Sequence, residues 1–404
     1  MRKKVFIATD SLTCGGAERA LVSFLNAIDY GKYSVDLLYF CHENEQLKGE
    51  IPEEVHILEV NERIQLALSS KSYVLSHIYK LKYILLILFR IFVGIRNKIY
   101  KEGTYKLRAK DWKILSKFIP ELPKTYDVAI GFLETYPVYF SIDKVKACRY
   151  IAWQRTDYKT TGCCSKWDYT FFDRADYICV LSDEMKNNLG MEFPEFKDKI
   201  VIFPNFRDII GIMEKSKESI EFDDYTGIRI ISVGTIRGVK GYDVAIKAGK
   251  LLVQRGYDFR WYILGDGEEK KSLQEKIKEY GIEKNFILLG NKMNPYPYMA
   301  NSSIFVQCSY REGFSSTVFE AKCLALPIVI TDAPGMGSQI DNGENGLIVP
   351  VGNYIMVANA IEKLICSATL REEFSRKLEN FAEQYMEIKK EKLELFDNMC
   401  GSNG

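Results

Sequence analysis

Histidine is scarce in these 404 residues: His42, His56 and His77 are the entire supply. None stands beside a cysteine at zinc-site spacing, so no structural metal is expected. The ten cysteines are scattered without a Cys-x-x-Cys pair, and the adjacent Cys163 and Cys164 are too constrained for an easy mutual bridge. Such thiols, with no disulfide framework, point to a reducing cytoplasm. Long hydrophobic runs are missing as well. The apolar stretch at 5–8 is far too short for the core of a signal peptide. The unbroken run at 83–89 falls well short of the ~20 residues that span a bilayer. Net charge is almost nil, 55 basic residues against 54 acidic, which removes any global reason to expect nucleic acid as a partner.

What remains is a globular composition, 47% hydrophobic and 27% charged, in a chain long enough for two domains. A buried strand is predicted at 4–8 (KVFIA), followed by a loop of small and polar residues. Gly15-Gly16-Ala17-Glu18-Arg19 then opens a helix to about Ile28, with Leu21, Phe24, Leu25 and Ile28 on its core face. Two glycines where a strand meets a helix let the backbone approach a ligand closely, although such a pair taken alone is more often just a turn. Further strands are predicted at 35–40, 55–60, 127–132, 150–153, 177–182 and 200–203. Between them the composition shifts. Residues 71–117 hold twelve lysines and arginines against only Glu102 and Asp111, a local excess of +10. Within this window Val74, Ile78, Leu81, Leu85, Leu88, Phe92, Ile95 and Ile99 alternate steps of four and three. That spacing predicts one continuous apolar helical stripe, with Lys80, Arg90, Lys98 and Lys101 on the far side. A basic amphipathic segment suits an anionic membrane surface; a core helix with a solvated basic face is the competing reading.

After a charged linker at 208–226, strands at 228–233, 259–264, 286–289 and 302–309 alternate with helices. This predicts a parallel sheet covered on both faces. The last of these strands leads into Tyr310-Arg311-Glu312-Gly313-Phe314-Ser315-Ser316-Thr317-Val318-Phe319-Glu320-Ala321. Small residues and free N–H groups where a helix starts make an anion site. Glu312 and Glu320 frame it with fixed acceptors. Donors for phosphate beside acceptors for hydroxyls fit a nucleotide sugar.

Glu, seven residues, Glu, with Gly-Phe after the first, resembles the large retaining glycosyltransferase family of GT-B fold. Leu326-Pro327-Ile328-Val329-Ile330-Thr331-Asp332 and Asn342-Gly343-Glu344-Asn345-Gly346-Leu347-Ile348-Val349-Pro350 are similar to the family's next strand and closing turn. Upstream, Gly234-Thr235-Ile236-Arg237-Gly238-Val239-Lys240-Gly241 is similar to its phosphate clamp. Lys240 matches the clamp lysine; Thr235 stands where the family has arginine, with Arg237 two positions on. In Trp153-Gln154-Arg155, arginine replaces the histidine that many relatives carry near the donor sugar.

The resemblance implies an α/β chain of two Rossmann-like domains facing each other across a cleft. Residues 1–205 would bind the acceptor and carry the basic segment, residues 206–384 would bind the nucleotide sugar, and a helix at 385–398 would pack back on the first domain. It further implies that Gly15 and Gly16 face the donor diphosphate, that Asn205 follows Pro204 at a hinge, and that Lys292 and Met293 hold the base through backbone groups. Lys240, Arg237 and the amides at Gly16 and at Phe314, Ser315 and Ser316 would stabilise the leaving diphosphate without a metal or other cofactor. Glu312 would hold hydroxyls of the donor sugar and Glu320 those of the ribose, with Gly313 keeping the loop close. The expected reaction moves a hexosyl group, with retention, from a nucleotide-diphosphate sugar, foremost a UDP-sugar, to a lipid-linked saccharide acceptor in cell-envelope polysaccharide synthesis. The enzyme is expected at the cytoplasmic face of the membrane, and no feature specifies an oligomer. A noncatalytic sugar-nucleotide-binding partner subunit, motivated by Thr235 and Arg155, stays open, as does a soluble transferase acting on a small metabolite.

Overall fold

The computed structural model describes residues 2–13, 15–99, 104–161, 165–220, 222–312, 315–333 and 335–401, with the backbone alone at 71, 97–99, 104, 160 and 161. Gly313, Phe314, Lys101, Cys163, Cys164 and the side chain of Lys98 therefore lie outside the described residues. The chain divides into two units, one made of Met1–Arg207 and Lys389–Gly404, the other of Asp208–Ile388. These boundaries, 207/208 and 388/389, lie a few residues beyond the 205/206 and 384/385 expected from the sequence.

The first unit is built on a seven-stranded parallel sheet in the order β3-β2-β1-β4-β5-β6-β7. In chain order these are Lys3–Ser11, Tyr33–Cys41, His56–Ile57, Thr125–Gly131, Lys146–Trp153, Tyr177–Val180 and Ile200–Ile202. Its strands are near-continuous apolar runs because both faces are covered. Alternation along β1 puts Phe6 and Ala8 in one core and Val5 and Ile7 in the other. Phe396, Met399 and Cys400 return from the chain's end into the second of these cores. They belong to the long helix Phe381–Met399 and the turn after it.

The second unit has six parallel strands in the order β10-β9-β8-β11-β12-β13. They are Ile228–Val233, Phe259–Leu264, Phe286–Gly290, Ile304–Gln307, Ile328–Thr331 and Gly346–Val349 for β8 to β13. Ile230, Ile304 and Val306 face one core, Ile231, Phe305 and Ile330 the other. Each sheet starts in its middle, builds outward on one side, then resumes on the other side of the first strand. The strand order thus reverses between β1 and β4 and again between β8 and β11, and such reversals leave a crevice at the strands' carboxyl ends.

The segment 71–99 corrects the sequence reading on one point. It is not one helix: Lys71–Ser76 is followed by a break, a 3-10 turn at Leu81–Tyr83 and the helix Ile84–Ile99. The stripe at Leu81, Leu85, Leu88, Phe92 and Ile95 points outward, with Arg90 on the opposite side, which is the arrangement of a docked face and not that of a core helix with a solvated basic face. Leu85, Leu88, Phe92 and Ile95 are 70%, 54%, 60% and 55% exposed, whereas Leu86, Ile87 and Val93 are 2%, 0% and 3% exposed. From 84 to 94 only Arg90 interrupts the apolar run, so periodicity could not choose between two apolar faces. The arginines follow the inner face, while Lys82, Lys106, Lys113 and Lys117 are exposed. Arg90 donates to the Ser69 carbonyl at 2.6 Å, Arg96 to Asp111 at 2.7 Å and Arg108 to Asp10 at 2.5 Å, while Lys80 pairs with Glu62. Among the described residues no helix is long and apolar enough to cross a membrane.

Candidate functional site

In the second unit the crevice between β8 and β11 gathers the residues of highest chemical interest. Beyond β8 the chain turns through Gly234, forms a 3-10 turn at Gly238–Lys240, and starts the helix Tyr242–Gln254 from Gly241. Gly241 sits at φ 67, and a Cβ there would lie 1.9 Å from the Cys308 carbonyl oxygen, so only glycine fits. That close approach presses the Lys240 turn against the loop after β11, where the Tyr310 N–H donates to the Val239 carbonyl at 2.8 Å. The Lys240 ammonium pairs with Glu312 Oε1. The same oxygen accepts from Gln307 Nε2 at 2.7 Å and Ser309 Oγ at 3.2 Å. Oε2 of Glu312 has no hydrogen-bond partner among the described residues. One carboxylate oxygen is thus anchored and the other is available.

Gln307 connects this pair to the start of the helix Ser316–Cys323. Its Oε1 accepts from Ser315 Oγ at 3.0 Å and Thr317 Oγ1 at 2.7 Å. Ser315 in turn caps the helix, its hydroxyl accepting from Val318 N at 3.4 Å. The amide of Ser315, expected to face a phosphate, is instead donated to Gln339 Oε1 at 2.8 Å, and Gln339 Nε2 returns a bond to the Ser315 carbonyl at 3.0 Å. An anion at this helix start would have to use amides beyond Ser315. Ser316 is exposed and Glu320, one turn further on the same face, is half-buried.

A 430 Å³ cavity opens at the ends of β8, β9 and β10, lined by Thr235, Gly265, Asp266, Asn291, Lys292 and Met293 among others. It brings together three residues singled out in the sequence: Thr235, Lys292 and Met293. The Lys292 ammonium lies 5.5 Å from the Tyr298 ring centroid, and Met293 is fully exposed. Arg237 is exposed and has no ion pair or hydrogen-bonded side-chain partner among the described residues. It remains free to meet a ligand.

In the first unit the loop after β1 leads to Gly15, which caps the helix Gly16–Leu25. A Cβ on Gly16 would meet nothing within 4 Å, so the open space there is not filled by protein. The Glu18 carboxylate folds back over Gly15, accepting from Ser11 Oγ at 3.0 Å and Thr13 Oγ1 at 3.3 Å. A phosphate at this loop would meet that carboxylate as well as the helix amides. Arg155, just past β5, is nearly enclosed. Its guanidinium donates to the Asn205 side chain and lies 4.5 Å from the Phe132 ring centroid. Burial pushes its pKa down to about 10, partly offset by Glu134 and Glu18. Glu134 accepts from the Arg155 N–H at 3.0 Å and from Thr156 Oγ1 at 2.9 Å. Trp153, by contrast, is a core residue, 1% exposed and packed among Phe24, Phe132 and Phe203. Alternation along β5 points it into the core, where its indole N–H is buried without a hydrogen-bond partner.

Residues that sequence reasoning passed over complete both crevices. Gln307 and Gln339 are buried polar side chains, and a glutamine ending the apolar strand Ile304–Gln307 was the available signal. Asp10 and Arg108 pair beside β1, with Arg108 also donating to Thr135 Oγ1 at 3.4 Å and standing 4.8 Å from the Tyr136 ring. Thr135 adopts φ 68 and ψ −118, a strained conformation for a non-glycine residue. No cluster of metal-ligating side chains occurs among the described residues.

Residues 214–381 match the family model described as Glycosyl transferases group 1. Over 251 residues the chain is 32% identical to an uncharacterized glycosyltransferase of Methanocaldococcus jannaschii, covering 58% of this chain and 60% of that one. Over 219 residues it is 30% identical to the N-acetylgalactosamine-N,N'-diacetylbacillosaminyl-diphospho-undecaprenol 4-alpha-N-acetylgalactosaminyltransferase of Campylobacter jejuni, covering 54% and 58%. These matches span less than two thirds of either relative. HepE of Anabaena, solved in complex with UDP, superposes with a TM-score of 0.65 at 14% identity, over 98% of this chain and all of that one. The fold is that of the GT-B glycosyltransferases, two parallel-sheet α/β units.

Proposed function

We propose, on the premise that residues 214–381 form a group 1 glycosyltransferase domain, that the protein moves a hexosyl group from a UDP-sugar to a lipid-linked saccharide in cell-envelope polysaccharide synthesis, with retention of anomeric configuration and without a metal. The observation that carries this reading is the Lys240–Glu312 pair beside the 430 Å³ cavity. UDP bound to HepE and the diphospho-undecaprenol acceptor named for the Campylobacter relative support the choice of donor and acceptor.

In the unliganded protein Lys240 and Glu312 neutralise each other. A donor diphosphate offers the ammonium a second, doubly charged partner. Charge on that diphosphate grows as the glycosidic bond breaks, so Lys240 stabilises the transition state more than the ground state. Arg237, unpaired and exposed at the same turn, adds a bidentate cation where Thr235 cannot. Gln307 and Ser309 hold one oxygen of Glu312, which fixes the other for hydroxyls of the sugar. Glu320 accepts from the ribose, and the cavity at Thr235, Lys292 and Met293 takes the base. With these two cations, the leaving group is neutralised by side chains alone. The first unit holds the acceptor, near Arg155, Glu134 and Asn205.

The test is transfer from a panel of UDP- and GDP-hexoses to a polyprenyl-diphosphate saccharide, with the product's anomeric configuration read by NMR. A retained linkage formed by EDTA-washed protein is expected. An inverted product would contradict the reading, as would activity that EDTA abolishes and manganese restores.

A further inference from the structure

Ordinary helices turn their apolar side chains inward and their charges outward. The helix Ile84–Ile99 departs from this: it is apolar on both its inner and its outer face. Leu81, Leu85, Leu88, Phe92 and Ile95 stand in solvent, while Arg90 and Arg96 turn inward to the Ser69 carbonyl and to Asp111. Beyond Tyr83 the outer face of the helix Ile84–Ile99 is bare hydrocarbon as far as its side chains are described. We infer that this face inserts among lipid acyl chains, so that the protein docks on a bilayer chiefly by hydrophobic contact and only secondarily by charge.

Three features favour lipid over a protein partner. First, a protein interface carries about one hydrogen bond per 100–200 Å², and the outer face from Ile84 to Ile95 has no polar side chain to supply one. Second, the polar groups are gathered at one edge, as at a membrane–water boundary. There Lys80 lies 6.0 Å from the Tyr79 ring, and Lys82 and Arg63 lie 5.2 Å and 5.8 Å from that of Tyr83. Third, no aspartate or glutamate occurs anywhere from 63 to 101, and Glu62 just before it is paired with Lys80, so Lys82 and Arg63 face anionic headgroups with little opposing charge. A helix of 16 residues is about 24 Å long, shorter than the ~30 Å hydrocarbon core. It therefore lies in the interface rather than crossing it.

This deepens the lipid-linked-acceptor reading, and the test reads lipid binding without any sugar transfer, so either can fail alone. The full chain is floated with vesicles of neutral phosphatidylcholine, and with vesicles also containing phosphatidylglycerol. Binding to both is expected, changing less than about threefold between about 0.1 and 1 M salt, where exposed charges are screened within ~3–10 Å. Leu85→Glu with Phe92→Glu should lower binding at least about tenfold. Ile355→Glu, at an exposed apolar position of the second unit, should leave it unchanged. The milder pair Leu85→Ser and Leu88→Ser carries the same expectation should the charged pair misfold by circular dichroism. Absence of binding to neutral vesicles, or binding that salt abolishes, would overturn the inference. So would a wild-type dimer that the Leu85 and Phe92 changes convert to monomer, which would assign the face to a second copy of the chain.

Discussion

The two crevices hold equivalent-looking pairs, Arg108–Asp10 beside β1 and Lys240–Glu312 beside β8. Arg108 bonds both Asp10 and Thr135 and lies on the Tyr136 ring. Burial, which by itself would lower its pKa, is overcome by Asp10, and the net shift is upward. Its planar fork is committed in several directions. Lys240 has a single point contact with one oxygen of Glu312, and that oxygen has two other donors. An ammonium so held can exchange a carboxylate for a phosphate while Glu312 stays anchored through Gln307 and Ser309. The two pairs reach their crevices from different elements, Arg108 from the helix Thr104–Leu115 and Lys240 from the turn after β8, and the comparison separates a pair whose bonds are all internal from one with a bond that a ligand could replace.

That contrast is broken or sharpened by substitution. The largest effect is expected for Lys240→Ala, with turnover down about 10²–10³-fold, as for the loss of one preorganised charge donor, and little change in melting temperature. A fall in melting temperature without a kinetic defect would make this pair structural like the other. Arg108→Ala should show the reverse, a loss of about 1–3 kcal/mol of stability from leaving Asp10 with an unmet bond, measured by chemical denaturation. Glu320→Ala removes an ionised acceptor and should weaken UDP binding by about 1.5–3 kcal/mol, readable by calorimetry. Gln307→Leu should cost about tenfold in turnover because it frees Glu312 and Ser315 together, an estimate at the low end for lost positioning; unchanged turnover would show Ser309 to suffice. The smallest effect on folding is expected from Gly16→Ala, which meets open space and should leave the melting temperature unchanged, since no protein atom is displaced.

The alternation of strands and helices was legible because parallel strands buried on both faces read as short apolar runs. Ordered spacing singled out Lys240 and Glu312, which the structure brings into one pair, and Glu320 one turn into the following helix. Gln307 and Gln339 were not legible, because their role lies in bonds across loops distant in sequence. Neither was the Arg108–Asp10 pair, whose members stand 98 residues apart. In the helix Ile84–Ile99 the stripe was legible, but which apolar face turns to the core was not. Its sequence is apolar on both sides, and only packing against the first unit's core decides that Leu86 and Ile87 go in while Leu85 and Leu88 stay out.

The central claim is that Lys240 and Glu312 form the donor site, and turnover of UDP-hexose at saturating donor tests it most directly in the wild type, Lys240→Ala and Glu312→Ala. Both variants are predicted to melt within a few degrees of the wild type and to lose at least about 10²-fold in turnover. A folded variant of either kind that kept turnover within about threefold of the wild type, well under one lost hydrogen bond to charge, would contradict the account.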